Sequence, residues 1–194
     1  MKTIKHIALV SGAAIATVVL CSAALNTDRS TLISNAITYN LGDQLPTKSN
    51  SAFKEGEILT YRMHYGMINA GVAVLEVKPD LIEVNGRKVY HIVGSGYSTG
   101  ATDVFFKVRD RYETYMDKDA MLPWLFVRRV DEGGYKFGQD YTFNHYTKKV
   151  DVGNNQKFDI PSGIQDMVSA FYYARNLDLS NAKEGDVFSM NCFL

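Results

Sequence analysis

From Glu57 to Val152 apolar and polar residues alternate with a period of two, interrupted at short intervals by Gly, Asn and Asp. A strand sends successive side chains to opposite faces, so this spacing commits the segment to strands with one dry and one wet side. Leu59, Tyr61, Met63 and Tyr65 share one parity, with Thr60, Arg62 and His64 on the other. Gly71 to Lys78 is apolar on both parities and reads as a strand covered on both faces. Asn85-Gly86 is the strongest turn signal, because both residues tolerate the positive φ of a type I′ hairpin, and it pairs that strand antiparallel with Arg87 to Ser95. Further runs follow at Val108 to Met116, Trp124 to Val130, Tyr135 to Phe143 and Lys148 to Val152, punctuated by Asp131-Glu132-Gly133-Gly134 and Gly153-Asn154-Asn155. Tyr135, Phe137, Tyr141 and Phe143 fall on one face, so one side of the sheet is a bank of aromatic rings.

One segment carries a clear helical stripe. Ile164, Met167, Val168, Phe171 and Tyr172 recur at three- and four-residue spacing, after Pro161-Ser162-Gly163, with Ser162 as the candidate N-cap and Arg175 near the end. Ala101 to Val108 has room for a second, short helix. The expected fold is therefore mainly β: a curved antiparallel sheet or half-open β-barrel of meander topology, with an amphipathic helix at about 163–176 packed on it.

The start of the chain sets a compartment. Lys2, Lys5 and His6 precede an apolar run from Ile7 to Leu20 that ends in Ser22-Ala23-Ala24, the order of a secretory signal peptide. The expected division is a cleaved signal at 1–24, a flexible lead at 25–52 and a single β-rich domain at 53–194. The expected location is the periplasm. The alternatives are an envelope anchor through the uncleaved segment or a lipid on Cys21, although Leu20 is a poor residue to precede a lipidated cysteine. Without Cys21, Cys192 is the only thiol, so the core must stand without a disulfide. Removing Lys2 and Lys5 leaves 19 basic residues against 21 acidic ones, a balance that offers no basic stripe to nucleic acid. No later apolar run approaches membrane-spanning length.

From about Phe53 to its end the chain resembles the bacterial family known as domain of unknown function 3108. The resemblance rests on Gly66-Met67-Ile68-Asn69-Ala70-Gly71 before an apolar strand, on Asp110-Arg111-Tyr112-Glu113-Thr114 with Leu122-Pro123 downstream, and on Asp166, Ser169, Tyr172, Tyr173 and Arg175 in the helix. It implies an exported protein of mostly antiparallel strands and brings no activity with it. Members of the family continue past the strand that starts near Asp186, so the run Val187 to Leu194 is expected to be a strand without its partner, in a domain incomplete at its C-terminus.

Candidate chemistry is sparse. Gly96-Tyr97-Ser98-Thr99-Gly100 matches the G-x-S-x-G elbow of serine hydrolases, with His145 as the only downstream base, but the elbow belongs to a parallel sheet flanked by helices. A glycine-rich turn is the expected role. His64, His91 and His145 are scattered and form no metal-ligand spacing, and no cofactor motif is present. Asp117 with Asp119, and Asp131 with Glu132, are expected to be solvated turn charges. Arg128 and Arg129 lie on opposite faces of one strand; an inward arginine among aromatics suits an anionic head group or an internal ion pair with Asp110, Glu113 or Asp166. The helix set Asp166, Ser169, Tyr172, Tyr173 and Arg175 reads as a structural clasp.

The expected function is non-catalytic: an envelope protein whose Tyr61, Met63, Tyr65, Tyr135, Phe137, Tyr141 and Phe143 line an apolar cavity for a lipid or other hydrophobic ligand. The alternatives are a serine hydrolase using Ser98 and His145, and a scaffold that binds another envelope protein through a sheet edge.

Overall fold

A computed structural model describes residues 44–194; the signal segment, Cys21 and most of the lead lie outside the described residues. Nine strands form one antiparallel sheet: β1 (Ile58–Tyr65), β2 (Ile68–Val77), β3 (Ile82–Val84), β4 (Arg87–Ser98), β5 (Arg109–Asp117), β6 (Pro123–Glu132), β7 (Tyr135–Asn144), β8 (Lys149–Asp151) and β9 (Lys157–Asp159). The order is β1-β2-β4-β5-β6-β7-β8-β9, a meander with free edges at β1 and β9 and no closure into a barrel. β3 lies on the same side of β4 as β2, one after the other. Asn85 and Gly86 take φ of 52° and 74° between Val84 and its partner Arg87, the hairpin that their side chains favour. β3 and β9 have only three residues each, too few to show a period.

Two helices accompany the sheet, α1 (Gly100–Phe105) and α2 (Met167–Arg175). The longer one starts later than the apolar stripe suggests. Gly163 sits at φ 76°, a left-handed conformation that a helix cannot contain, and Asp166, not Ser162, is the N-cap. Asp166 accepts from the amides of Val168 and Ser169, and the Ser169 hydroxyl accepts from the Asp166 amide, a complete capping box.

Pairing register fixes what shares a face. Val77, Ile92, Thr114, Phe126 and Tyr141 form one row across five strands, and α2 covers it. The core on this face adds Phe53, Tyr90, Met116, Phe143, Val150, Ile164, Val168 and Tyr172. Phe53 meets Tyr90 and Tyr172 edge to face at 5.1 and 4.7 Å, which binds the start of the domain to the helix. Arg175 clamps the other end of α2 through Glu57 and the Ala52 carbonyl.

The opposite face carries a smaller cluster of Val84, Val89 and Trp124 with Leu45, Tyr115 and Leu125. Asp117 at its edge is no solvated turn charge. It is fully buried, and its carboxylate binds the Arg87 guanidinium, the Trp124 indole at 2.9 Å and the amides of Asp119 and Ala120.

Both ends of the described chain differ from expectation. Residues 44–52 lack regular structure yet lie against the body: the Lys48 amide donates to Asp119, and the Asn50 side chain bonds the Tyr90 hydroxyl and Phe53 carbonyl. The segment from Asp186 forms no strand beyond a single parallel bridge of Cys192 to Gln165. Phe193 is held there by its ring contacts with Tyr141 and Phe143 at 5.0 and 6.3 Å.

Candidate functional site

Above the core row, the helix-bearing face continues as three rows that α2 does not cover completely. Leu59, Leu75, Gly94, Tyr112, Arg128 and Gln139 are direct neighbours in the first. The second places Tyr61, Ala73, Gly96 and Asp110 in line, with Val130 opposite Phe137 beyond them. Met63, Gly71 and Ser98 begin the third, which passes Val108 and Glu132 and ends at Tyr135. Tyr61, Met63 and Tyr135 are about half exposed, and Phe171 on α2 reaches Tyr61 at 6.5 Å. The middle of this surface is bare. Gly96 has an ordinary strand φ, and a Cβ there would meet only the Asp110 Cβ at 3.9 Å, so neither backbone strain nor crowding requires a glycine.

One cation stands in this surface, with Asp110 and Glu132 in the rows beyond it. Arg128 lies over the rings of Tyr112 and Phe137, at 5.6 and 5.5 Å from their centroids, a cation–π arrangement on both sides. Its Nε is buried without a hydrogen-bond partner, and no carboxylate among the described residues makes an ion pair with it. Its neighbour Arg129, on the other face, is bound by Asp140 at 2.5 Å. The nearest acids hold each other instead: the hydrogen bond with Asp110 pushes the Glu132 carboxyl above its ordinary value, and the Tyr112 hydroxyl donates to Asp110 at 3.5 Å.

Six of the seven residues expected to line a cavity share this face but not one environment, and the register shift between Met63 and His64 takes Tyr65 out of its rows. Tyr61, Met63 and Tyr135 are exposed, and Phe137 is half-buried. Tyr65 ends β1 opposite Ile68. Tyr141 and Phe143 are core residues packed by Phe126 and Phe193, so the chain itself fills the space an apolar ligand would need there. A cleft of about 370 Å³ at the β6–β7 end is lined mostly by Arg109, Arg129, Asp131, Lys136 and Gly138, a polar set on the opposite face.

Ser98 and His145 are not brought together. Ser98 shares a row with Val108 and Tyr135, whereas His145 lies past the far end of β7, roughly 30 Å along the strand direction at the usual rise per residue. The Ser98 hydroxyl is fully engaged, donating to Asp103 at 2.5 Å and accepting from the Val108 amide at 2.8 Å. Arg109, and then Ser98, hold the Asp103 carboxyl down to about 2, so it cannot take the proton of a nucleophile. His145 donates from Nε2 to the Pro123 carbonyl at 2.6 Å beside Trp124, and burial pushes its pKa down. Ser98→Ala is therefore expected to cost about 1–2 kcal/mol of stability in a urea titration, because the Val108 amide loses its acceptor. A change below a few tenths of a kcal/mol would show that this clasp is not holding α1.

Of the helix set, the Asp166 carboxylate accepts three hydrogen bonds, Ser169 completes the cap by accepting from the Asp166 amide, Arg175 binds Glu57, and Tyr173 stacks under Lys48 at 4.4 Å. Tyr172 is buried, with no partner for its hydroxyl. Among the described residues no group of three His, Cys, Asp or Glu is placed to hold a metal ion, and no helix is long and apolar enough to cross a membrane. The site's defining feature was half legible. Parity separates Arg128 from Arg129, but that Arg128 makes no ion pair while Asp110 and Glu132 lie against each other is something no spacing encodes.

The chain matches no curated protein and no solved structure. Residues 60–194 match the family described as Protein of unknown function (DUF3108), and the chain belongs to that family.

Proposed function

We propose that this is a non-catalytic envelope protein that holds an amphiphile with an apolar chain and an anionic group across the open half of its helix-bearing face. Arg128 carries this reading. A guanidinium flanked by two rings, with its Nε buried and without an acceptor, has a donor free for an oxyanion. The bare strip at Ala73 and Gly96, bordered by Tyr61, Met63 and Phe137, offers a chain of methylenes an apolar bed. Binding is confined to this upper half, since the lower half is closed by α2. Export through the N-terminal signal would place the protein where such lipids are handled.

The test is native mass spectrometry of the exported protein released without detergent, followed by titration with a fluorescent fatty acid. An adduct of lipid mass is expected. Arg128→Gln should weaken fatty-acid binding about tenfold or more, the worth of a charge-assisted hydrogen bond. Gly96→Phe should block it without unfolding, because that position has space and an unstrained backbone. Equal affinity in both variants and the parent would remove this surface from consideration.

A further inference from the structure

The rows of the open face end at a rim that is unusually apolar for a water-exposed edge. Met67 at the β1–β2 turn is completely exposed, and on α1 Phe105 and Val104 are 87% and 81% exposed. Ile68, Phe106 and Tyr135 add further exposed apolar surface. None of the residues of α1 is buried, so six helical residues stand without a core to hold them, and a helix this short is marginal in water. The rim is nonetheless one connected structure. The Thr99 amide donates to the Ala70 carbonyl at 3.1 Å, which ties the start of α1 to the β1–β2 hairpin. At the other end the Gly133 amide donates to the Lys107 carbonyl at 2.8 Å, and the Phe106 ring lies so close to Gly133 that a Cβ there would stand 2.4 Å from it. Gly133, at φ 57°, is thus doubly required to let α1 close onto the β6–β7 turn.

Most of the charges at this end are paired. Asp103 is bound by Arg109 and Asp131 by Lys136, while Asp110 and Glu132 hold each other. Arg62 and Lys107 are exposed and make no ion pair among the described residues. The exposed charges left without an ion pair at the rim, Arg62 and Lys107, are both positive, whereas Asp110 and Glu132 are half-buried.

We infer that this rim, formed by the β1–β2 turn, α1 and the start of β7, docks on the surface of an anionic lipid bilayer. Apolar side chains that protrude singly from separate turns, with free basic residues set around them, match the boundary between head groups and acyl chains; a protein partner would demand a continuous complementary patch. The inference goes beyond the ligand-binding reading and does not depend on it, since Met67, Val104 and Phe105 lie outside the surface around Arg128.

Phe105→Trp places a reporter at the rim, and the single native indole, Trp124, is buried and supplies a constant background. On addition of vesicles of phosphatidylcholine and phosphatidylglycerol, the emission of the new indole should shift to the blue and be quenched by brominated acyl chains. Pure phosphatidylcholine should give at least a tenfold weaker response, and the same loss should follow Arg62→Glu with Lys107→Glu, as expected for attraction worth about 1 kcal/mol per basic residue. Met67→Ser should weaken binding several-fold with an unchanged thermal melt, because that side chain touches nothing in the fold. Emission that ignores anionic vesicles overturns the inference, as does full binding by the charge-reversed pair. Gly96→Phe separates the two readings: rim binding should survive it while fatty-acid binding is lost. Loss of the vesicle response in that variant would assign the contact to the Arg128 surface and overturn the rim.

Discussion

Asp117→Ala is expected to lower the free energy of unfolding by about 3–5 kcal/mol, the range seen when a buried ion pair loses one partner. The size follows from what the carboxylate holds. One oxygen accepts from the amides of Asp119 and Ala120 at 2.9 and 2.8 Å and from the Arg87 guanidinium at 2.9 Å; the other accepts from Arg87 Nε and from the Trp124 indole at 2.9 Å. Five donors on three elements thus converge on one fully buried side chain at the β5–β6 turn. Removing it strands a buried indole N–H and the Arg87 charge together, and each unsatisfied donor is costly. Arg87→Ala should cost less, because three neutral donors still serve the carboxylate and the guanidinium is itself partly exposed. For a domain of this size the alanine variant at position 117 should melt roughly 10 °C lower. Burial raises the Asp117 pKa, but the bonds from Arg87, Trp124 and Ala120 outweigh it and leave the pKa below the ordinary value. Its stabilisation is accordingly present above the unfolded carboxylate pKa of 3.8 and is lost as pH falls below that value. Equal thermal melts for the parent and Asp117→Ala at neutral pH would show that the turn is held by packing alone.

What the sequence disclosed and what it hid divide along physical lines. Strands of eight or more residues were legible because alternation over that length is a statement about burial, and the Asn85-Gly86 turn because its conformation is local. The start of α2 was misplaced because the apolar stripe begins at Ile164, which packs in the core as an irregular residue before the helix exists. Asp117 passed as a turn charge because its partners Arg87 and Trp124 come from different strands, and only the register brings them together. The aromatic bank was correctly assigned to one face, yet parity cannot say how far a helix covers a sheet. That single distance puts Tyr141 and Phe143 in the core and leaves Tyr61, Met63 and Tyr135 exposed. The same limit hid Arg128, whose interest lies in the company it does not keep.

Asp166 should give the chain a pH dependence of opposite sign to that of Asp117. It is fully buried beneath the first turn of α2, and burial pushes its carboxyl up to about 6 despite the hydrogen bonds from Thr114, Ser169 and Val168. Between the unfolded value of 3.8 and about 6 the folded chain therefore binds more protons than the unfolded chain. Raising the pH through this window must weaken the fold, by on the order of 3 kcal/mol for a shift of about two units. The stabilisation is complete below the unfolded value and lost once the pH passes the folded one. Glu113, held down to about 2 first by its bond to His91, and Asp117 titrate in the other sense, so the parent curve alone cannot isolate the effect. Asp166→Asn can. The amide oxygen still caps Val168 and Ser169, and the amide nitrogen can donate to the Thr114 hydroxyl in place of accepting from it. Urea titrations at pH 5 and 7.5 should show the asparagine variant gaining on the parent as pH rises. Asp166→Ala, which removes the cap as well as the titrating group, should follow the same pH trend but lie about 1–2 kcal/mol below the asparagine variant at both values. A parent-to-asparagine difference that stays flat between the two pH values would mean that three donors suffice to keep a buried carboxylate ionised, and that the helix is anchored by a charge instead of a neutral acid.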